Sequence, residues 1–142
     1  MRPRPAATYR VWVISYEWRG PVSNAELNAL HAAAFGHEVL AEDWAAQLDR
    51  HSLGWVCARD GGALAGFVNV PWDGGMHAFI LDTMVARHAR RRGIGTRLVA
   101  VAVDGARAAG CEWLHVDFTP GLRGFYLDGC GFRGTDAGLI AL

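Results

Sequence analysis

Leu81-Asp82-Thr83-Met84-Val85-Ala86-Arg87-His88-Ala89-Arg90-Arg91-Arg92-Gly93-Ile94-Gly95-Thr96-Arg97-Leu98 is the stretch that decides how this chain is read. An apolar, strand-like run ends at Met84-Val85, passes through four arginines and a pair of glycines, and enters a helical pattern. Glycine lets backbone N–H groups turn toward a ligand with no Cβ in the way. A helix that starts there adds its free first-turn donors and the positive end of its dipole. The segment is a built anion site, and a phosphate-bearing cofactor is its natural guest.

Other phosphate loops are excluded by their own requirements. A Walker A loop needs Gly-Lys-Ser/Thr, and the chain contains no lysine. A dinucleotide fingerprint needs a third glycine where Leu98 stands, and an acid at the ribose distance that the chain does not supply. What remains is Arg90-x-x-Gly93-x-Gly95 after an apolar strand and before Leu98. This resembles motif A of the GCN5-related N-acetyltransferases (the GNAT family), Arg/Gln-x-x-Gly-x-Gly/Ala, whose loop holds the pyrophosphate of acetyl-CoA. Further on, Phe125-Tyr126-Leu127-Asp128-Gly129-Cys130-Gly131-Phe132 resembles the same family's aromatic-Tyr and Gly-Phe signature. The two motifs stand in the family's order, and the resemblance is strongest over residues 79–132.

The rest of the sequence agrees with one such domain. At 142 residues the chain supplies a single core and is too short for two ordinary domains. Residues 1–8, with Met1-Arg2-Pro3-Arg4-Pro5 and no apolar segment at once behind them, read as a tail and not a signal peptide, leaving residues 9–142 as the domain. No run of eighteen apolar residues suggests a membrane span, so a cytoplasmic protein with no membrane partner is expected. Fourteen basic residues balance fourteen acidic ones, which leaves no global field for nucleic acid. Cys57, Cys111 and Cys130 are odd in number, widely spaced and set among apolar residues, so they are expected as buried reduced thiols, with no metal site.

Periodicity gives the order of elements. Residues 9–17 alternate as a first strand. Ser23 with Glu26 makes a capping box for a helix with Leu27, Leu30, Ala34 and Phe35 on one face, ended by Gly36. A second helix is predicted over residues 42–50, closed by Gly54 before the next strand. Residues 55–59 and 63–70 form a hairpin across Asp60-Gly61-Gly62. A strand over 77–85, a helix from Gly93 to before Gly110 using Ile94, Leu98, Val101 and Ala108, a strand over 113–118, a short helix over 122–127 and one or two strands over 132–142 complete the chain. This order favours a mixed sheet with helices on both faces. The resemblance implies the same in detail. It gives an α+β, three-layer acyltransferase fold with a mixed, mostly antiparallel central sheet of six or seven strands and about four helices. The sheet splays between residues 77–85 and 113–118, and pantetheine lies in the opening.

The resemblance also implies acetyl-CoA as cofactor, an amine-bearing acceptor, direct transfer in a ternary complex, and, as in many similar folds, the option of a homodimer. Backbone groups at Met84 and Val85 would then pair with pantetheine, and N–H groups of Arg91, Arg92, Gly93, Ile94, Gly95 and Thr96 with pyrophosphate. Arg90 matches the motif's Arg/Gln, and Arg91 or Arg92 would meet the 3′-phosphate. Arg87 replaces a proline usual in the family, and Thr119 stands near a usual asparagine, whose bond to pantetheine it would supply in part. Bulk at Gly93 or Gly95 is expected to block the ligand without disturbing the core.

Acyl transfer to an amine needs the amine uncharged, the thioester polarised and a proton for the leaving thiolate. Tyr126 matches the family's general acid, because a phenol stays protonated at neutral pH; the alternative is a core tyrosine whose hydroxyl is merely satisfied. For the base, Asp82 lies on the strand before the loop, while His115 and Asp117 alternate onto one face of the strand at 113–118, as a site wall or as a solvent face. His37, His77 and His88 stand behind them. Acceptor contacts are sought at Asn69, Trp72 and Asp73, where polar and aromatic groups meet at a strand end, and among Phe35, Trp18 and Trp44, each of which also reads as core. No cysteine has a sequence-evident activating histidine, which disfavours a covalent route. Two rival readings are a catalytically silent acyl-CoA-binding module and a nucleic-acid-binding domain. The short arginine cluster, without interleaved aromatics for stacking, speaks against the second.

Overall fold

Alternating β-branched and aromatic residues build the sheet, and the glycines between them decide where it turns and where it is approached. The computed structural model describes residues 13–142. The expected tail and the beginning of the expected first strand lie outside the described residues. The elements are β1 (Ile14–Trp18), α1 (Asn24–Phe35), α2 (Trp44–His51), β2 (Ser52–Asp60), β3 (Ala63–Pro71), β4 (His77–Phe79), β5 (Leu81–Val85), α3 (Ile94–Ala108) and β6 (Trp113–His115). Strands β1, β2, β3 and β5 form an antiparallel sheet in that order, and β4 pairs in parallel with β6. The predicted hairpin turn is Gly61-Gly62, between Asp60 and Ala63.

Each helix is held where its caps and its apolar face require. The Ser23–Glu26 capping box is present at the start of α1, and Gly36, at φ +73°, ends it. Asp43 caps α2 by accepting the Ala46 N–H. On the α1–α2 side, the Trp44 ring meets Phe67 edge-on at 6.3 Å. On the other face α3 lies against the sheet with Ile94, Leu98, Val99, Ala102 and Ala106 buried. Val101 is half-buried and Ala108 is exposed, because the contact stripe runs one residue away from the predicted one. Trp18 keys α3 to the sheet. Its ring fills the space that a Cβ at Gly54 or Gly105 would occupy, and the added atom at Gly105 would lie 2.6 Å from the ring. Gly54 is therefore a packing position inside β2, not the stop that ends the segment before it.

Five further expectations are corrected. The strand predicted over residues 77–85 is two strands that part at Ile80, β4 pairing with β6 and β5 with β3; within β5, Asp82 takes φ +54° and two residues, Asp82 and Thr83, stand opposite the single Val68. The strand predicted over 113–118 ends at His115. The Ile80 N–H still bonds the His115 carbonyl at 2.8 Å, after which the partner chain swings over to β3 and leaves nothing to pair with. Residues 132–142 form no strand. Gly131, Gly134 and Gly138 interrupt the alternation, and Leu139, Ile140 and Leu142 are exposed. The predicted short helix is a 3₁₀ turn at Pro120–Leu122 followed by a π-helical segment, Gly124–Gly129. All three cysteines are free, but only Cys57 is fully buried. Among the described residues no helix is long and apolar enough to cross a membrane.

Candidate active site

The cofactor loop forms because two of its residues take left-handed backbone. Arg91 lies at φ +64° and Gly93 at φ +74°, and the chain between β5 and α3 thereby curls its N–H groups inward as an anion nest. Gly93 is also the N-cap of α3, and no side chain caps that helix, so its first-turn donors remain for a ligand. Beside the loop is a cavity of about 440 Å³ whose walls include Thr83, Val85, Arg90, Arg91, Leu122 and Tyr126. Gly93, Ile94, Gly95 and Thr96 line it too. Its size, its donors and the edge of β5 turned away from β3 fit a phosphate-ended thiol ester carrier.

The two glycines serve different ends. A Cβ on Gly93 would touch nothing within 4 Å, so the backbone angle and the ligand make the demand. A Cβ on Gly95 would sit 3.2 Å from the Phe125 ring. The glycine loop and the Phe125-Tyr126 motif are thus in contact, and the expectation that bulk at Gly95 spares the packing is corrected. Met84 is buried in the core opposite Phe67, so its side chain faces away from the cavity and only its backbone is available. Arg92 reaches Asp60 at 4.0 Å and is not among the residues lining the cavity, whereas Arg90 and Arg91 are. Thr119 is exposed and accepts the Leu122 N–H through its carbonyl at 2.9 Å, outside the cavity lining.

Tyr126 is fixed on three sides. Its ring stacks on Phe118 at 5.1 Å and meets Phe125 and Phe132 edge-on, while its hydroxyl donates to Thr83 Oγ1 at 3.2 Å. Burial pushes the phenol above its ordinary range, and the Thr83 bond opposes this only in part. The group at the cavity wall is therefore a protonated donor at neutral pH.

Ordinary alternation along β5 sends the adjacent side chains of Asp82 and Thr83 to opposite faces of the sheet. Thr83 meets Tyr126 on the cofactor side. Asp82 turns to the α1–α2 side, where its Oδ1 lies 3.7 Å from His31 Nε2 and the Asn69 amide bonds it. Burial raises the Asp82 carboxyl, with His31 and Asn69 pulling the other way. Asn69 is 1 % exposed and its Oδ1 accepts the Ser52 hydroxyl at 2.6 Å, so it supports Asp82 from beneath. His31 is the residue that sequence reasoning missed. It lies one turn after Leu27 and one before Phe35 on α1, a position legible only once α1 is known to cross β5.

A second cavity of about 580 Å³ opens at the other end of the split strand, lined by Arg50, His51, Trp72, Asp73, Phe79 and Leu81 among others. Trp72 and Asp73 are thereby brought to one wall. Asp73 also holds its own turn, accepting the Gly75 and His77 N–H groups at 2.7 and 3.2 Å, which lowers its pKa. Trp18 and Trp44 are structural. Phe35 is exposed beside His31, ring centroids 4.6 Å apart. His115 and Asp117 lie on the exposed face of their segment, where His115 bonds His77 at 2.8 Å and stacks on Phe79; neither lines either of the two cavities described. Burial pushes the Cys57 thiol up to about 11 and raises Cys111 and Cys130 as well, so none is poised as a nucleophile.

Comparison with known proteins agrees with this geometry. The model of the acetyltransferase (GNAT) family matches residues 16–132. A GNAT-family acetyltransferase of Streptococcus pneumoniae superposes with a TM-score of 0.74 at 24% identity, over 92% of this chain and 98% of that one. An aminoglycoside N-acetyltransferase solved with CoA gives 0.72 at 18% identity, over 94% and 96%. Glucosamine 6-phosphate N-acetyltransferase 1 of Oryza sativa subsp. japonica is 45% identical over 51 residues, 36% of this chain and 30% of that one. This chain covers about a third of the length of the curated relatives it matches. With the glycine loop, the splayed strands and the buried tyrosine in one place, the chain belongs to the GNAT acetyltransferase family.

Proposed function

We propose that this protein is an N-acetyltransferase that moves the acetyl group of acetyl-CoA to a primary amine by direct transfer. The observation that carries the reading is the pair Asp82 and Thr83 on β5, with the Tyr126 hydroxyl bonded to Thr83 on one side of the sheet and the Asp82 carboxylate facing His31 on the other. Bound acetyl-CoA supplies the thioester carbonyl. The nest from Arg91 to Thr96 holds its phosphates, and Thr83 and Val85 flank the channel toward Tyr126. Tyr126 gives its proton to the departing sulfur. Asp82, on the acceptor side, attracts an ammonium and draws off its proton.

The raised thiols leave direct attack by the amine as the simpler route, and three free cysteines suit a reducing, cytoplasmic setting. The acceptor is best sought among amines that carry an anionic group, since Arg50 and His51 stand in the wall of the second cavity beside Trp72 and Phe79. The rice relative is named for such an amine. Coenzyme A release, followed with a thiol reagent over an amine panel that contains glucosamine 6-phosphate and glucosamine, tests this. Turnover, faster for the phosphorylated amine, is expected. Acetyl-CoA binding without turnover of any amine would favour the silent acyl-CoA-binding module instead.

A further inference from the structure

The proton drawn from the acceptor needs a destination, and a chain of two imidazoles on the α1–α2 side offers one. His37 Nδ1 lies 2.6 Å from the Glu38 carbonyl oxygen, and a carbonyl only accepts, so His37 carries its proton on Nδ1. Its Nε2 is then an acceptor, 2.6 Å from His31 Nδ1. With both rings neutral, His31 must donate from Nδ1. That leaves its Nε2 as a bare lone pair, and this is the nitrogen aimed at Asp82 Oδ1 from 3.7 Å.

We infer that His31 Nε2 is the store for the proton released by the acceptor amine, held in that state by the tautomer chain through His37 to the Glu38 carbonyl. The inference rests on the acetyltransferase reading and deepens it. In the step, one N–H bond of the acceptor ammonium breaks and leaves its electron pair on nitrogen. The proton passes by way of Asp82 Oδ1 to His31 Nε2, where a new N–H bond forms. The products are a free amine, an Asp82 carboxylate and a His31 imidazolium facing it, and the 3.7 Å gap is what the transferred proton closes.

The groups facing this chain come from every neighbouring element. Asp82 on β5 supplies the counter-charge, and Asn69 on β3, itself bonded by Ser52 on β2, keeps Asp82 in place. The rings of Phe35 and Trp44 lie 4.6 and 5.6 Å from the His31 ring and fix its plane. Glu42, in the same connection, is engaged through its backbone with Asn28. His37 and the Glu38 carbonyl act as positioning groups at the surface, while His31 is only partly exposed.

Two measurements test this on the full chain. Long-range imidazole proton–nitrogen spectra, recorded above the pH at which the rings charge, should show His31 and His37 both as Nδ1–H tautomers, and His37→Gln should release the His31 preference. An Nε2–H tautomer at His31 would overturn the proposal, whatever amine the enzyme accepts. The second measurement is the pH profile of coenzyme A release with glucosamine 6-phosphate as probe, or with whichever panel amine turns over fastest. His31→Gln should lower kcat by about 10²-fold, the scale of one proton-transfer group. It should also abolish the rising acidic limb of the profile and leave acetyl-CoA affinity unchanged. An unchanged profile in His31→Gln would overturn the proposal, whereas loss of acetyl-CoA binding by the wild type would overturn the enzyme reading and not the tautomer result.

Discussion

The two sides of the split strand are built from different materials. The cofactor side uses backbone N–H groups, a helix end and left-handed residues within one continuous stretch from Thr83 to Thr96, with Phe125 and Tyr126 closing it. The side proposed for the acceptor uses side chains from α1, α2, β3, β4 and β5, brought together over most of the first half of the chain. Backbone recognition suits an invariant phosphate carrier, because its donors do not depend on which side chains surround it. Side-chain recognition suits an acceptor that differs from enzyme to enzyme. Strand β5 connects them, its adjacent residues Asp82 and Thr83 facing opposite sides of the sheet.

The comparison breaks most sharply at Tyr126. Tyr126→Phe keeps the ring between Phe118, Phe125 and Phe132 and removes only the donor, so kcat should fall by about 10²–10⁴ while calorimetric acetyl-CoA affinity is nearly preserved. Full activity would place the acid elsewhere. Gly93→Val is next. A β-branched residue resists φ +74°, and the distorted nest should bind acetyl-CoA at least about 100-fold more weakly, with a melting temperature lower by only about 3–10 °C. Unchanged affinity would sink the cofactor site.

The arginines sharpen the picture on a smaller scale. Arg91→Ala should weaken coenzyme A by about tenfold and dephospho-coenzyme A much less, since one charge-assisted contact is lost. Arg92→Ala, whose guanidinium points to Asp60, should affect both ligands equally little. The reverse pattern in competition binding would exchange their roles.

The smallest effect concerns the fastening of α1, the helix that carries His31. The Arg59 guanidinium bonded to Glu26, with help from Ser23, holds the Glu26 carboxyl at about 2, below its ordinary 4.5. A depressed carboxyl contributes stability above its unfolded pKa and loses it as pH falls through the folded one. Both partners are partly exposed, so screening reduces the contribution to about 1 kcal/mol. Denaturant unfolding of Glu26→Gln should therefore trail the wild type by that much at neutral pH, and the gap should close between pH 4.5 and 2. A gap that persists at pH 2 would assign it to the helix cap instead.

Much of the cofactor side was legible because its requirements are local. Arg90-x-x-Gly93-x-Gly95 and Phe125-Tyr126 name their own positions, and the Ser23–Glu26 box, the Gly61-Gly62 turn and the Gly36 stop are each decided within a few residues of backbone. The kink at Asp82 was not legible. Aspartate at positive φ has no reliable local signal, and the apolar run from His77 to Val85 reads as one strand until two different partners compete for it. The assignment of Trp18 to packing depended likewise on Gly54 and Gly105, which are far from it in sequence.

By itself the sequence determined the order of elements, the anion loop, the family and the phenol beside the loop, because periodicity, caps and glycine angles act over a few residues. Only the tertiary structure decided that Arg90 and Arg91 line the cavity while Arg92 turns to Asp60, and that Gly95 rests on Phe125. It alone set His31 in front of Asp82. These are contacts between residues tens of positions apart, and they arise from the path the chain takes when its core closes, which no local pattern encodes.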